Sequence, residues 1–184
     1  MFFDIAYGFS VPESKGCLID LTIESAWRVP DVQFQIHKMG DNTIRMFERR
    51  ALLDRDLLRL ILKTKNRLGI SGNHLSLEET FSIPAIREEL QIRCPIKSKP
   101  LPHEICELTT AICSSEIPSD VEKPCGFDGH NYCFRIYKPC KPCHQTFNCW
   151  CRIPKEWEPL ERLVSFLVEE SGLDPKYYGP LKRI

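Results

Sequence analysis

Eight side chains between Cys125 and Cys151 have the chemistry to hold a metal ion: Cys125, His130, Cys133, Cys140, Cys143, His144, Cys149 and Cys151. Zinc takes four thiolate or imidazole ligands in a tetrahedron. The turn Cys140-Lys141-Pro142-Cys143 would offer two sulfurs from one short loop. Cys149 and Cys151 are two apart, and on a strand both would face one side. The quartet Cys140, Cys143, Cys149 and Cys151 is therefore the expected zinc site. Cys125, His130 and Cys133, with one further ligand, would make a second; the eight candidates permit two sites and do not require two.

The same residues admit a disulfide reading. Cys133 opposite Cys149 or Cys151 on antiparallel strands would bridge at a Cα spacing of about 5.5 Å. Redox catalysis is disfavoured, because a thioredoxin-like Cys-x-x-Cys opens a helix after a strand, and this one lies between two apparent strands. The cell compartment separates zinc from disulfides, since reducing compartments keep thiols free for metal. Met1-Phe2-Phe3-Asp4 has no basic leader, and no Asn-x-Ser/Thr acceptor occurs. The expectation is an intracellular zinc protein; the alternative is a secreted or surface protein held by disulfides.

Ten cysteines in 184 residues are unevenly placed: nine lie between Cys94 and Cys151, and Cys17 stands alone in the first half. This shift divides the chain into residues 1–91 and 92–184, as two regions or one integrated domain. Cys106 and Cys113, seven apart, would share a helix face as small buried hydrophobes.

The formal net charge is zero, from 25 basic and 25 acidic groups. That argues against a polycationic nucleic-acid coat and against an acidic disordered tail. The balance hides blocks: residues 43–76 carry 8 basic and 3 acidic groups, residues 123–155 carry 6 and 1, and the segments around them are acidic. In the first block Arg55, Arg59, Lys63 and Arg67 recur every fourth residue, a stripe that would track a phosphate backbone. In the second, Arg135, Lys138 and Lys141 are interleaved with Tyr132, Phe134, Tyr137, Phe147 and Trp150, the mixture that holds single strands by stacking and phosphate contact. The competing readings are a solvated helix face and a hairpin core. Nucleic acid is the leading partner class and protein the other.

The elements that must position these residues read as α+β. Cys17, Ile19, Leu21 and Ile23 alternate with polar positions, as do Val32, Phe34 and Ile36, giving two half-buried strands. A third begins at Ile44 after the turn Gly40-Asp41-Asn42, and Phe2–Phe9 is a further strand candidate. Leu53, Leu57, Leu60, Ile61, Thr64 and Leu68 recur at helical spacing, with Gly69 as a stop. Ser76-x-x-Glu79 is a capping box, and Ser82 with Pro84 would open another helix, to about Gln91. Residues 95–102 read as a connector, 104–113 as a helix and 118–124 as a linker. Strands at 131–138 and 145–153 would flank a tip at 139–144. A helix at 156–170 and an irregular tail follow. The expected whole is an N-terminal antiparallel meander with a long helix, then a cysteine-rich hairpin and a C-terminal helix. No stretch is long and apolar enough to span a membrane.

No nucleophile elbow, phosphate-binding glycine loop or His-Glu-x-x-His occurs, so no catalytic residue is assigned and the reading leans away from an enzyme. Leu101-Pro102-His103-Glu104-Ile105, with Pro118 further on, resembles the start of a minimal F-box. The resemblance covers under a tenth of the chain and lacks the later apolar positions of that motif. It implies a protein-interaction adaptor as a further alternative.

Overall fold

The computed structural model describes residues 11, 14–25, 29–70, 75–119, 121, 129–138 and 144–180. Their elements are strands β1 (Ser14–Ser25), β2 (Val32–Met39) and β3 (Ile44–Arg50), helices α1 (Asp54–Arg67), α2 (Leu77–Ser82) and α3 (Pro84–Arg93), strand β4 (Lys97–Pro100) and helix α4 (His103–Ser114). Strands β5 (His130–Tyr137) and β6 (His144–Trp150) follow, then a 3-10 turn (Lys155–Trp157), helix α5 (Glu158–Glu170) and the short helix α6 (Pro175–Tyr178). The class is α+β, as expected. The Phe2–Phe9 candidate lies outside the described residues.

All neighbouring strands pair antiparallel in one sheet, in the order β4-β3-β2-β1-β5-β6. The central strand β1 pairs with β5, so one sheet joins the two regions that cysteine usage separates. Period-two alternation gives this sheet one apolar face. Ile19, Leu21 and Ile23 oppose Ile36, Phe34 and Val32 on one side and Ile136, Phe134 and Tyr132 on the other. Ile105, Ile112 and Cys113 of α4, and Leu160, Leu163, Val164, Leu167 and Val168 of α5, complete that core. Helices supply the second layer because the sheet has only one apolar face to bury.

α1, α2 and α3 are inserted between β3 and β4 and have a core of their own: Ala51, Leu57, Leu60, Ile61, Phe81, Ile86, Leu90 and Cys94. The capping box forms as the sequence indicates. Ser76 Oγ accepts from Glu79 N at 3.1 Å, and Glu79 Oε2 accepts from Ser76 N at 2.7 Å.

Four local expectations are corrected. Residues 97–100 are not a connector but an edge strand pairing with β3; Lys-Ser-Lys-Pro carries no alternation, and lysine and proline are what exposed edges tolerate. Ser82 does not cap α3: Ile83 holds that position, and Ser82 Oγ instead donates to Glu79 O at 2.6 Å. The tail at 175–178 is helical, capped by Asp174. A bulge between Cys17 and Ile19 sets Cys17 opposite His37 rather than continuing the apolar row, because one extra residue reverses which side faces the core.

Asp31 joins β1 to β2, its Oδ1 accepting from Ser25 N at 2.9 Å. Burial, with Glu24 and Asp54 nearby, pushes its carboxyl from 3.8 up to about 6. The folded chain thus holds this proton more tightly than the unfolded chain, so stability should fall as pH rises from about 4 to about 6. Asp31→Asn is expected to melt higher than the parent at about pH 7.5, with the difference shrinking at about pH 4.5. Thermal melts at both pH values check this; a difference that grows on acidification would contradict it.

Candidate functional site

The first basic block forms a surface. α1 buries Leu57, Leu60, Ile61 and Thr64, and sets Asp54 and Asp56 in its first turn and Lys65 and Arg67 in its last, each sign at the end where the helix dipole favours it. Arg55, Arg59, Lys63 and Arg67 are all exposed. Asp56 lies 3.7 Å from Arg55 and 3.6 Å from Arg59, while Arg67 reaches Glu89 of α3 at 3.7 Å. Such exposed pairs are weak and leave the cations available. The large apolar side chains exposed among the described residues are Leu58 at 59%, Leu62 at 56%, Leu68, Leu75 and Ile92 at 72%. All of them belong to the insert between β3 and β4. Sequence periodicity marks the buried stripe of α1 but does not flag Leu58 and Leu62, because leucine is ordinarily assigned to a core.

Two cations of the second basic block are engaged within the fold, while Arg152 and Lys155 are exposed. Arg135 Nη1 lies 3.4 Å from Asp20 Oδ2 across the β1–β5 pair. Lys138 Nζ donates to Ser115 O at 3.2 Å. Lys141 lies outside the described residues. Tyr132, Phe134 and Phe147 are core residues, 0 to 2% exposed, so they offer no stacking platform; Tyr137 and Trp150 are half-buried. The two blocks join the sheet at different strands, the first through β3 and the second through β5 and β6. Three inter-strand steps lie between β3 and β5, about 14 Å at ~4.8 Å each.

The hairpin register redistributes the candidate ligands. Cys149 opposes Tyr132 on the apolar face, whereas Cys133 opposes Asn148 on the other. Cys133 and Cys149 therefore point to opposite sides and do not bridge. β6 ends at Trp150, and Cys151 turns out of it with φ +57°. Cys149 and Cys151 nonetheless both lie near Tyr132, whose hydroxyl burial pushes well above its ordinary range. Gly129 adjoins this corner with φ +136°, and a Cβ there would sit 1.9 Å from Cys151 Sγ, a space and conformation that only glycine fits.

His130 is 1% exposed and its ring nitrogens have no hydrogen-bond partner. Burial lowers its pKa, and the backbone of Gly179, facing the ring without normal hydrogen-bond geometry, offsets part of that. His144 and Cys149 stand at opposite ends of β6, about 16 Å apart at ~3.3 Å per residue, so one ion does not take both. Cys125, Cys140 and Cys143 lie outside the described residues. Among the described residues no three His, Cys, Asp or Glu side chains converge as a metal set.

The remaining described cysteines are packing residues. Cys113 is buried in the main core and Cys94 in the smaller one, and Cys106 packs against the former. Burial pushes Cys113 up to about 11 and raises Cys17, Cys94 and Cys106 as well, the opposite of an activated thiol. Leu101 and Ile105 of the F-box-like segment are also buried in the main core, so they face the sheet rather than a partner.

One polar constellation has no motif in the sequence. Gln33 and Gln35 donate their Nε2 to the buried Asp20 carboxylate at 2.9 and 3.2 Å. That turns Gln35 Oε1 toward His37 Nε2, 2.9 Å away. Because an amide oxygen only accepts, His37 Nε2 carries the proton and Nδ1 accepts from Ser14 Oγ at 2.6 Å. Burial lowers the His37 pKa and keeps the ring neutral. The row is legible only as Gln33, Gln35 and His37 sharing one strand face. A cavity of about 290 Å³ opens nearby, at the β2–β3 turn, bordered by Met39, Asp41, Thr43, Arg45, Phe47 and Ser98. Neither Ser14 nor His37 lines it, so the pair is a structural tie between β1 and β2.

Compared with protein-family models, with curated proteins and with solved structures, the chain matches none of them. Among the described residues no helix is long and apolar enough to cross a membrane.

Proposed function

We propose that this protein is a zinc-stabilised binding module that presents the outward face of α1 to a macromolecular partner. The observation that carries the reading is α1 itself. It belongs to a separately cored insert and sets Arg55, Arg59 and Lys63 on the side away from that core, with Arg67 at the edge of that side beside Glu89 of α3. Their regular recurrence supports a nucleic-acid partner; the exposed leucines beside them support a protein. In the nucleic-acid case, Arg59→Glu weakens oligonucleotide binding and lowers the salt slope by about 1. Fluorescence anisotropy across a salt series measures both.

Zinc would act as a structural staple in a reducing compartment. Cys149 and Cys151 are the described part of such a site, with the remaining ligands drawn from Cys125 and Cys140 among the undescribed residues; Cys143, next in the chain to His144, shares that residue's distance from Cys149. The native chain is expected to carry at least about one zinc and to lose it to a strong chelator. Cys149→Ser should abolish that zinc and lower the melting temperature as chelation does, since structural zinc contributes directly to folding. Metal analysis, melting curves and intact mass after alkylation without reductant check this. A zinc-free chain indifferent to chelator ends the zinc reading, and a mass lower by about two protons per cysteine pair establishes disulfides instead.

A further inference from the structure

We infer that the outward face of α1 docks an acidic amphipathic helix of a partner protein; this rests on the reading of the chain as a binding module. At 3.6 residues per turn, Arg55, Leu58, Arg59 and Leu62 fall within an arc of about 100° directly opposite the buried Leu57, Leu60, Ile61 and Thr64. The arc joins two leucines one turn apart, 59% and 56% exposed, to two arginines whose side chains are 74% and 75% exposed. Lys63 flanks it and is also exposed. Arg67, which reaches Glu89 of α3 at 3.7 Å, lies about 120° round the helix from Arg55 and outside the arc.

The occupant must supply apolar and anionic groups together, at the same repeat. A phosphodiester backbone would neutralise the cations but leave Leu58 and Leu62 in water. An anionic bilayer would take both leucines, but interfacial helices insert a broad face of bulky apolar residues. This arc has two such residues, with Asp56 between Arg55 and Arg59. A helix with leucine or phenylalanine at i and i+4, flanked by aspartate or glutamate, meets each requirement. Its apolar pair covers Leu58 and Leu62, and its carboxylates face Arg55, Arg59 and Lys63.

The test selects a phage-displayed library of random 16-residue peptides on the full chain as purified under reducing conditions. Recovered peptides are measured by fluorescence anisotropy against the parent, against Leu58→Ser/Leu62→Ser and against Arg55→Glu/Arg59→Glu. Phosphatidylcholine–phosphatidylserine vesicles and a 20-base-pair duplex are titrated in parallel. Selection is expected to enrich acidic and apolar residues at helical spacing. Both double variants should bind the peptides roughly tenfold or more weakly while melting as the parent does, since the replaced side chains are exposed.

The proposal is overturned if no such pattern is enriched, or if the peptides bind the serine variant as tightly as the parent. It is equally overturned if the parent binds vesicles and the leucine substitutions abolish that binding. Duplex binding that survives the leucine substitutions and falls with the arginine reversals overturns the helical partner but keeps the binding module. Absence of binding in every arm overturns both.

Discussion

Trp157→Ala is expected to lower folding stability by about 3–5 kcal/mol. Trp157 is 0% exposed and stands where the 3-10 turn meets α5. Its ring meets Phe147 edge-on, with centroids 5.1 Å apart, and Nε1 donates to Pro118 O at 2.7 Å. Truncation removes the ring contact with Phe147 of β6, opens a cavity in the core and strands an acceptor. A domain of this size holds only about 5–15 kcal/mol in total, so the melting temperature should fall by roughly 10 °C or more. Trp157→Phe keeps most of the ring contact and loses the donor, at an expected cost of about 1–2 kcal/mol. Urea titrations followed by circular dichroism rank the three proteins. A cost under about 1 kcal/mol for the alanine variant would mean that the corner repacks freely.

Asp20→Ala is expected to cost about 3–5 kcal/mol by a different mechanism, the orphaning of buried donors. Asp20 is 3% exposed and collects Gln33 Nε2, Gln35 Nε2 and Arg135 Nη1. Removing the carboxylate leaves the Gln33 amide, 2% exposed, without the acceptor it uses in the fold, and takes the Asp20 charge away from the Arg135 guanidinium, 25% exposed. It also frees Gln35, so the amide that fixes the His37 tautomer loses its own anchor. Asp20→Asn retains one oxygen but turns an NH₂ toward donors, and should fall between parent and alanine variant. A double-mutant cycle with Arg135→Leu should show a coupling of about 1–3 kcal/mol. Additive losses would mean that Asp20 and Arg135 act separately. Nitrogen-15 spectra of His37 provide an independent readout: a protonated Nε2 in the parent and mixed tautomers in Asp20→Ala.

Much of the fold is legible in the sequence because its elements are written in local periods. Ile19-Leu21-Ile23 and Val32-Phe34-Ile36 announce strands, Leu57-Leu60-Ile61-Thr64 a helix, and Ser76 with Glu79 that helix's successor. β4 is not legible, because Lys97-Ser98-Lys99-Pro100 becomes a strand only when the edge of β3 is there to pair with it. The position of Cys17 is not legible either, since the bulge beside it depends on register with β2. The buried relay from Asp20 to Ser14 crosses two strands, and no linear motif encodes it.

The candidate site divides the same way. The sequence alone determines that α1 carries a cation at every turn and that the hairpin region is rich in thiol and imidazole. Only the tertiary structure decides what those residues can do. It puts Tyr132, Phe134 and Phe147 in the core, ties Arg135 to Asp20, sends Cys133 and Cys149 to opposite faces, and leaves Leu58 and Leu62 in water beside Arg55 and Arg59. The reason is physical: local periodicity fixes which side chains share a face, but the order of strands and the placing of an insert fix which faces are covered.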